Sequence, residues 1–109
     1  MNLLELQKEV WAWSSRNFGD RDRQPSYRPL LGVGEEVGEL NHVHLKNEQG
    51  IRLGFDRAGQ VDAIGDIVIY LADYCAREGL SLDDAVTETW AVVKRRNWLR
   101  YPITGRPPK

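Results

Sequence analysis

Two stretches of sequence decide the fold: GEEVGELNHVHL at residues 34–45 and VDAIGDIVIYLADYCA at residues 61–76. In both, the apolar residues recur at the spacing of an amphipathic helix and not in the strict alternation of a half-buried strand. Their expected bounds are about Pro29 to Lys46 for the earlier helix and Arg57 or Gln60 to Glu78 for the later one, where Gly79 is a natural stop. The centre of the protein is therefore predicted to be a pair of long helices.

Two further helices are expected on either side of this pair. The N-terminal helix should run from a capping box at Asn2 to about Phe18, and the C-terminal helix from a cap at Ser81 to about Arg100. Pro102 forbids further extension, and residues 102–109 should form a flexible tail. Short connections make an all-α antiparallel bundle of about four helices the simplest architecture.

Composition supports one globular domain over residues 1–109. Hydrophobic residues make up 41% and charged residues 28%, with a net charge of -1, so the chain has no overall electrostatic footprint for nucleic acid. No run reaches the roughly 20 apolar residues of a membrane span, and the single cysteine, Cys75, fits a reducing cytoplasm. A domain this small buries little surface, and we expect a symmetric partner subunit to shield the rest.

Acidic residues share one side of each central helix. At 100° per residue, a first group on the earlier helix and a second group on the later helix each project in one direction. These groups are Glu35, Glu36 and Glu39, and Asp62, Asp66 and Asp73. A solvated helix face is the ordinary explanation, but such faces mix signs, whereas residues 30–45 and 61–76 contain no lysine or arginine.

A divalent cation is the economical way to offset this repulsion, because clusters that offer only oxygen ligands select Mg2+, Mn2+ or Ca2+ over zinc. Gly38 and Gly65 each precede an acid of the cluster. Since a glycine inside a helix costs up to about 1 kcal/mol relative to alanine, the two glycines are expected to mark a close approach of the helices beside the metal.

The same residues resemble a known family. GEEVGEL on the earlier helix and DAIGDIVIYLAD on the later one are similar to the paired motifs of the MazG-like nucleotide pyrophosphohydrolases. EEVGELNHVHLKNEQGIR and ETWAVVKRRNWLRYPITG extend the resemblance over most of the chain from about Asn17. The resemblance implies an all-helical homodimer or homotetramer that hydrolyses nucleoside triphosphates to monophosphates and pyrophosphate, with Mg2+ or Mn2+ as cofactor.

The resemblance also implies roles for the first acidic group. The EExxE motif of the family falls on residues 35–39, so that Glu36 and Glu39 would bind Mg2+ and Glu35 would orient or deprotonate the attacking water.

The second family motif, ExxD, is only partly kept. Asp66 matches its final acid, but Ala63 occupies the position of its glutamate. Asp62 lies one helical turn before Asp66 and is the expected substitute ligand. Asp73 is expected either behind the metal ligands or paired with a basic side chain.

Basic side chains should hold the phosphates from the opposite side. Lys94, Arg95 and Arg96 are the expected suppliers, with Arg57 from the loop before the later helix. The alternative for each is favourable placement near a helix C-terminus.

Two other functions fit parts of the pattern. A non-catalytic helical module that binds nucleotide or Mg2+, or serves dimerisation or regulation, would accommodate the missing glutamate at position 63. Nucleic-acid binding through KRRNWLRY would use a basic stretch with interleaved aromatic residues, but the acidic centre of the chain argues against it.

Overall fold

The computed structural model describes residues 1–50 and 56–108, which form four α-helices and no strand. Helix α1 spans Leu3–Phe18, α2 spans Tyr27–Glu48, α3 spans Arg57–Glu78 and α4 spans Leu82–Val93. The all-α prediction is confirmed. Within these residues, no helix combines the length and the apolarity that crossing a membrane requires.

The predicted caps are present. The Asn2 side chain accepts a hydrogen bond from the Glu5 amide at 2.9 Å and the Ser81 hydroxyl accepts one from the Asp84 amide at 3.2 Å. Gly79 ends α3 with a φ of 71°, in the left-handed region that glycine enters without steric cost. These local signals therefore fix three of the eight helix ends.

The prediction that α4 continues to about Arg100 is wrong, because the helix ends at Val93. The two amides after the cap residue donate to carbonyls three residues back, at 3.2 and 3.1 Å, which tightens the last turn. The Asn97 amide then donates to the Gly105 carbonyl at 2.7 Å, so a contact across the following turn replaces the next helical bond. The flexibility of residues 102–109 stays a prediction.

The helices form an open array in which α3 packs on α2, α1 and α4, and α1 also packs on α4. Gly32 of α2 lies against Tyr70 of α3, and Glu36, further along α2, lies near Asp66, which comes earlier on α3. Residue numbers therefore decrease along α3 in the direction in which they increase along α2. Helices α2 and α3 are therefore antiparallel, as predicted. In the described part of the chain α2 packs on α3 alone, with no contact to α1 or α4.

The core lies where α1, α3 and the start of α4 meet. Its buried members are Val10, Ala72, Cys75 and Leu82, with Leu3, Leu6, Val68, Leu71 and Tyr74 packed around them. Leu3, Leu6 and Val10 belong to the predicted apolar stripe of α1, whereas Trp13, the fourth residue of that stripe, is half exposed.

A buried polar network joins α1 to α3. The Ser14 hydroxyl donates to Asp73 Oδ2 at 2.8 Å, and Arg77 Nε donates to Asp73 Oδ1 at 2.9 Å. Arg77 also donates to the carbonyls of Gly19, Asp20 and Gln24. Because the guanidinium satisfies both the carboxylate and the backbone of the α1–α2 connection, it fixes the position of that connection against α3.

Candidate metal centre

Three carboxylates converge on one side of α2. One oxygen from each of Glu35, Glu36 and Glu39 lies within 4.8 Å of the other two. The helical repeat produces this grouping, because residues three and four apart are neighbours on a helix surface. The structure thus brings together the three acids of the EExxE pattern.

Glu36 is the buried member of this group, with 8% of its surface exposed. Its Oε2 atom is shielded from solvent and, when the group is ionised, accepts no hydrogen bond from any residue of the described ranges 1–50 and 56–108. Burial raises the pKa of the Glu36 carboxyl above its ordinary value of 4.5. The charges of Glu39 and Asp66, a hydrogen bond of the protonated Glu36 side chain to Glu39, and the charge of Asp62 raise it further. An unsatisfied buried carboxylate oxygen is costly, and a cation placed beside it would remove that cost.

The two aspartates of α3 approach this group without joining it. Both act on Glu36 electrostatically, Asp66 more strongly than Asp62. Asp66 is half-buried, Asp62 is exposed, and Ala63 between them is buried with 3% of its surface exposed. Position 63, at which the MazG-like motif has a glutamate, therefore directs its side chain into the protein. Asp62, one residue earlier, is directed toward solvent.

Tyr70 is a site residue that sequence reasoning missed. Burial raises the pKa of its hydroxyl above 10.0, and the carboxylates of Glu35, Glu36, Asp66 and Glu39 raise it further. The available signal was its spacing, since Tyr70 follows Asp66 by four residues and so shares its face of α3. Its phenol is a neutral hydrogen-bond donor beside an acidic cluster.

The predicted close approach at Gly38 and Gly65 is wrong. A Cβ added at either glycine would meet nothing within 4 Å among the residues that the structure describes. The close approach occurs at Gly32, where an added Cβ would lie 2.6 Å from two ring carbons of Tyr70. The Tyr70 ring, which is larger than the aspartate side chains, therefore sets the helix spacing beside the acids.

A partly enclosed cavity of about 150 Å³ opens between α1 and α3 at Asp66. Asp66, Tyr70 and Asp73 line its α3 side together with Ile69, and Val10, Trp13 and Phe18 line its α1 side. Trp13 and Phe18 meet edge to face, with ring centroids 5.4 Å apart. The cavity thus combines aromatic walls with the carboxylates of Asp66 and Asp73.

The predicted phosphate ligands lie elsewhere. Lys94, Arg95 and Arg96 follow α4, which does not contact α2 within the described residues. Arg95 Nε donates to the Ala91 carbonyl at 2.7 Å, and the Arg96 guanidinium lies over the ring of Trp98.

Arg57, the fourth expected phosphate ligand, is the exposed first residue of α3 and bonds to the Gln60 side chain at 3.1 Å. Asp73 pairs with Arg77, which is one of the two arrangements expected for it.

Comparison with family models, curated proteins and solved structures found no match. The resemblance to MazG-like enzymes therefore stays a prediction, supported by the motifs alone.

The donor set fits a hard divalent cation. It consists of carboxylate oxygens, with a buried and unpartnered oxygen at Glu36 and two further acids on the facing helix. Such a set suits Mg2+ or Mn2+, which are held through a few carboxylates with water or phosphate completing the coordination. Glu36 and Glu39, with Asp66 from α3, are the residues best placed to hold it.

Proposed function

We propose that this chain is a Mg2+-dependent nucleoside triphosphate pyrophosphohydrolase, in which Mn2+ can replace Mg2+, acting as a homodimer or homotetramer in the cytoplasm. The observation that supports it most is the buried, unpartnered Glu36 oxygen within a cluster of three glutamates. The three carboxylates would repel an anionic substrate if no cation lay between them. A cation carried by the enzyme or by the triphosphate would remove the repulsion.

In the proposed reaction water attacks the α-phosphorus and the bond from that phosphorus to the bridging oxygen breaks. The products are a nucleoside monophosphate and pyrophosphate. Glu35 is exposed and adjacent to Glu36, so it can orient the water and accept its proton. A bound Mg2+ would lower the pKa of the water and neutralise charge on the phosphates.

The cavity between α1 and α3 offers a place for the base. Its volume of about 150 Å³ equals that of an engineered apolar cavity that holds one benzene ring. Trp13 and Phe18 would contact the ring faces or edges, and the Tyr70 hydroxyl would donate to a polar atom at the end near the acids. Asp66 would then lie between the base and the metal.

The test is pyrophosphate release from a panel of canonical, deoxy and damaged nucleoside triphosphates. We expect release with Mg2+ or Mn2+ and none in excess EDTA. Glu39→Gln and Asp66→Asn should abolish turnover with unchanged helical circular dichroism, whereas Glu9→Gln, an exposed glutamate on α1, should not. Turnover in excess EDTA, or full activity of Glu39→Gln, would contradict the proposal.

The buried alanine at position 63 favours one alternative, a module that binds nucleotide or Mg2+ without hydrolysing it. This alternative predicts saturable, Mg2+-dependent nucleotide binding with no pyrophosphate release from any member of the panel. The same assay, run beside a binding titration, separates the two functions.

A further inference from the structure

The residues after α4 fold into a closed loop. The Asn97 amide donates to the Gly105 carbonyl at 2.7 Å, and the amides of Tyr101 and Gly105 donate to the carbonyls of Asn97 and Tyr101. Gly105 is buried with a φ of 73°, and a Cβ added there would lie 3.0 Å from the ring of Trp98. Residues 97–105, the terminal loop, are therefore tied together at their two ends, which fixes the surface that the loop presents.

The terminal loop carries the two most exposed large hydrophobic side chains of the described residues. Leu99 has 100% of its surface in solvent and Ile103 has 91%. A single exposed leucine is ordinary on a protein surface, but two aliphatic side chains held out by one hydrogen-bonded loop point to a contact with something apolar. The described part of the chain does not provide that contact.

The segment that contains this loop is strongly basic. Residues 94–108 contain no acidic residue and five basic ones, Lys94, Arg95, Arg96, Arg100 and Arg106. Because the whole chain carries -1 and this segment +5, the remaining residues carry -6. None of the five cations forms an ion pair with a described residue. The nearest acid earlier in the chain, Glu88, precedes Lys94 by six residues, about 9 Å along a helix and so about one Debye length away.

Two of these cations line one hollow beside Ile103. Arg100 and Arg106 border a volume of about 290 Å³, together with Tyr101 and Thr104. Neither guanidinium donates a hydrogen bond to another described residue. Two guanidiniums with free donors can bind one phosphate through charge-assisted hydrogen bonds. The loop thus presents an apolar contact and an anion contact side by side.

An anionic lipid surface matches both contacts. Exposed aliphatic side chains enter the boundary between headgroups and acyl chains, while lysine and arginine bind the anionic headgroups above it. Tryptophan and tyrosine favour the same level, because each ring has an apolar body and a polar edge. Trp98 and Tyr101 stand on either side of Leu99 in the sequence, so the loop has all three kinds of side chain.

Single-stranded nucleic acid fits the loop less well. Its bases bind by stacking on open aromatic faces. The Arg96 guanidinium already lies over the ring of Trp98, 5.8 Å from its centre, and the Arg100 guanidinium lies 5.6 Å from the centre of the Tyr101 ring. The fully exposed Leu99 offers no stacking surface. The charge of the segment attracts both kinds of polyanion, whereas its apolar part favours the lipid.

We propose that the terminal loop attaches this protein to anionic membrane surfaces. Leu99 and Ile103 enter the lipid, and Arg100 and Arg106 bind the headgroup phosphates beside them. One apolar contact and one basic patch together supply the two signals that stable attachment needs. An anionic surface attracts the basic segment and repels the rest of the chain, so the loop faces the membrane. This attachment does not rest on the proposed function, because it uses neither the acidic cluster nor a bound metal.

Co-sedimentation with lipid vesicles tests the attachment. Vesicles of phosphatidylcholine alone are compared with vesicles that also contain phosphatidylglycerol, in EDTA so that no divalent cation links the glutamates to the lipid. We expect binding to the anionic vesicles, little binding to the neutral ones, and loss of binding at high salt, because salt screens the charges. Equal binding to both kinds of vesicle, or binding to neither, would overturn the proposal.

Variants of the loop locate the contact. Leu99→Ser with Ile103→Ser should weaken binding to anionic vesicles at least about tenfold, because two aliphatic side chains no longer leave water. Arg100→Gln with Arg106→Gln should weaken it about 25-fold, at about fivefold for each cation near the surface. Wild-type vesicle binding by either pair of substitutions would contradict the assigned contact.

Matched controls separate the loop from the general charge and apolarity of the surface. Leu31→Ser removes an exposed leucine of α2, and Arg16→Gln with Arg28→Gln removes two exposed arginines outside the basic segment. Both controls should keep vesicle binding within about twofold of wild type, because these side chains do not reach the lipid. An equal loss in the control arginine pair would show that net charge alone drives the binding, which contradicts the proposal.

Two further measurements distinguish other occupants of the loop. Labelled single-stranded DNA is titrated with the protein and followed by fluorescence anisotropy; DNA binding that requires Arg100 and Arg106, in a protein that binds no vesicles, would replace the membrane with nucleic acid. Light scattering of the Leu99→Ser, Ile103→Ser protein should return the wild-type mass. A smaller mass would place these two side chains in a subunit interface and refute the attachment.

Discussion

Gly32→Ala is the most direct perturbation of the helix spacing beside the acidic cluster. The new Cβ would lie 2.6 Å from two ring carbons of Tyr70 and 2.8 Å from a third, closer than real Cβ contacts allow. Overpacking of this kind costs about 1 to 3 kcal/mol. Alanine regains about 1 kcal/mol over glycine in a helix, so the net loss should be about 0 to 2 kcal/mol.

Glycines without neighbours isolate the steric part of this effect. Gly65→Ala and Gly38→Ala gain the same helix propensity, and the new Cβ meets no atom of the described part of the chain within 4 Å, so both should raise stability. The difference between Gly32→Ala and these controls should therefore be the full clash of about 1 to 3 kcal/mol. For a domain of about 100 residues, each kcal/mol of this stability difference separates the melting temperatures by about 4 to 8 °C.

The assay is urea denaturation followed by circular dichroism, in EDTA and at one protein concentration, because association would otherwise contribute to stability. Tyr70→Ala removes the obstructing ring, so the cost of Gly32→Ala should largely disappear in the Tyr70→Ala background. Equal stabilities for Gly32→Ala and Gly65→Ala would refute the packing of Tyr70 on Gly32.

Three other predictions follow from the polar groups. Arg77→Met should destabilise the protein by about 3 to 5 kcal/mol in chemical denaturation, because it leaves the buried Asp73 carboxylate without its cation and with only the Ser14 hydroxyl as a donor; a loss below about 1 kcal/mol would contradict the network. Burial raises the pKa of the Cys75 thiol above 9.0, so Cys75 should react slowly with a disulfide reagent until the protein unfolds. Because the thiol ionises more readily in the unfolded chain, stability should fall as pH rises above about 9. Equally fast reaction of folded and unfolded protein would contradict this. Asp62→Ala should raise the Mg2+ concentration for half-maximal activity about tenfold, a loss of about 1.4 kcal/mol, and an unchanged Mg2+ dependence would show that this exposed aspartate has not replaced the missing glutamate.

Local sequence signals predicted the helices well because each depends on one or two neighbouring residues. The capping side chains of Asn2 and Ser81 and the left-handed Gly79 act within a single turn. The end of α4 was mispredicted because it depends on a bond from the Asn97 amide to Gly105, eight residues further along the chain. Such a contact leaves no periodic pattern.

The candidate site was predictable to the extent that it lies on one helix. Helical spacing alone groups Glu35, Glu36 and Glu39, because a helix fixes their relative directions. The burial of Glu36 and the contact between Gly32 and Tyr70 depend on the register of α2 against α3. Spacing within one helix does not specify that register, so Gly38 and Gly65 were wrongly placed at the close approach.

The central claim is that these carboxylates bind a divalent cation, and Mn2+ titration followed by electron paramagnetic resonance tests it most directly. Free Mn2+ gives a signal that binding broadens, so the measurement requires neither substrate nor turnover. We predict saturable binding to the wild-type protein, competition by Mg2+, loss of binding in Glu36→Gln and Glu39→Gln, and unchanged binding in Glu9→Gln. Equal Mn2+ binding by wild type, Glu36→Gln and Glu39→Gln would contradict the claim.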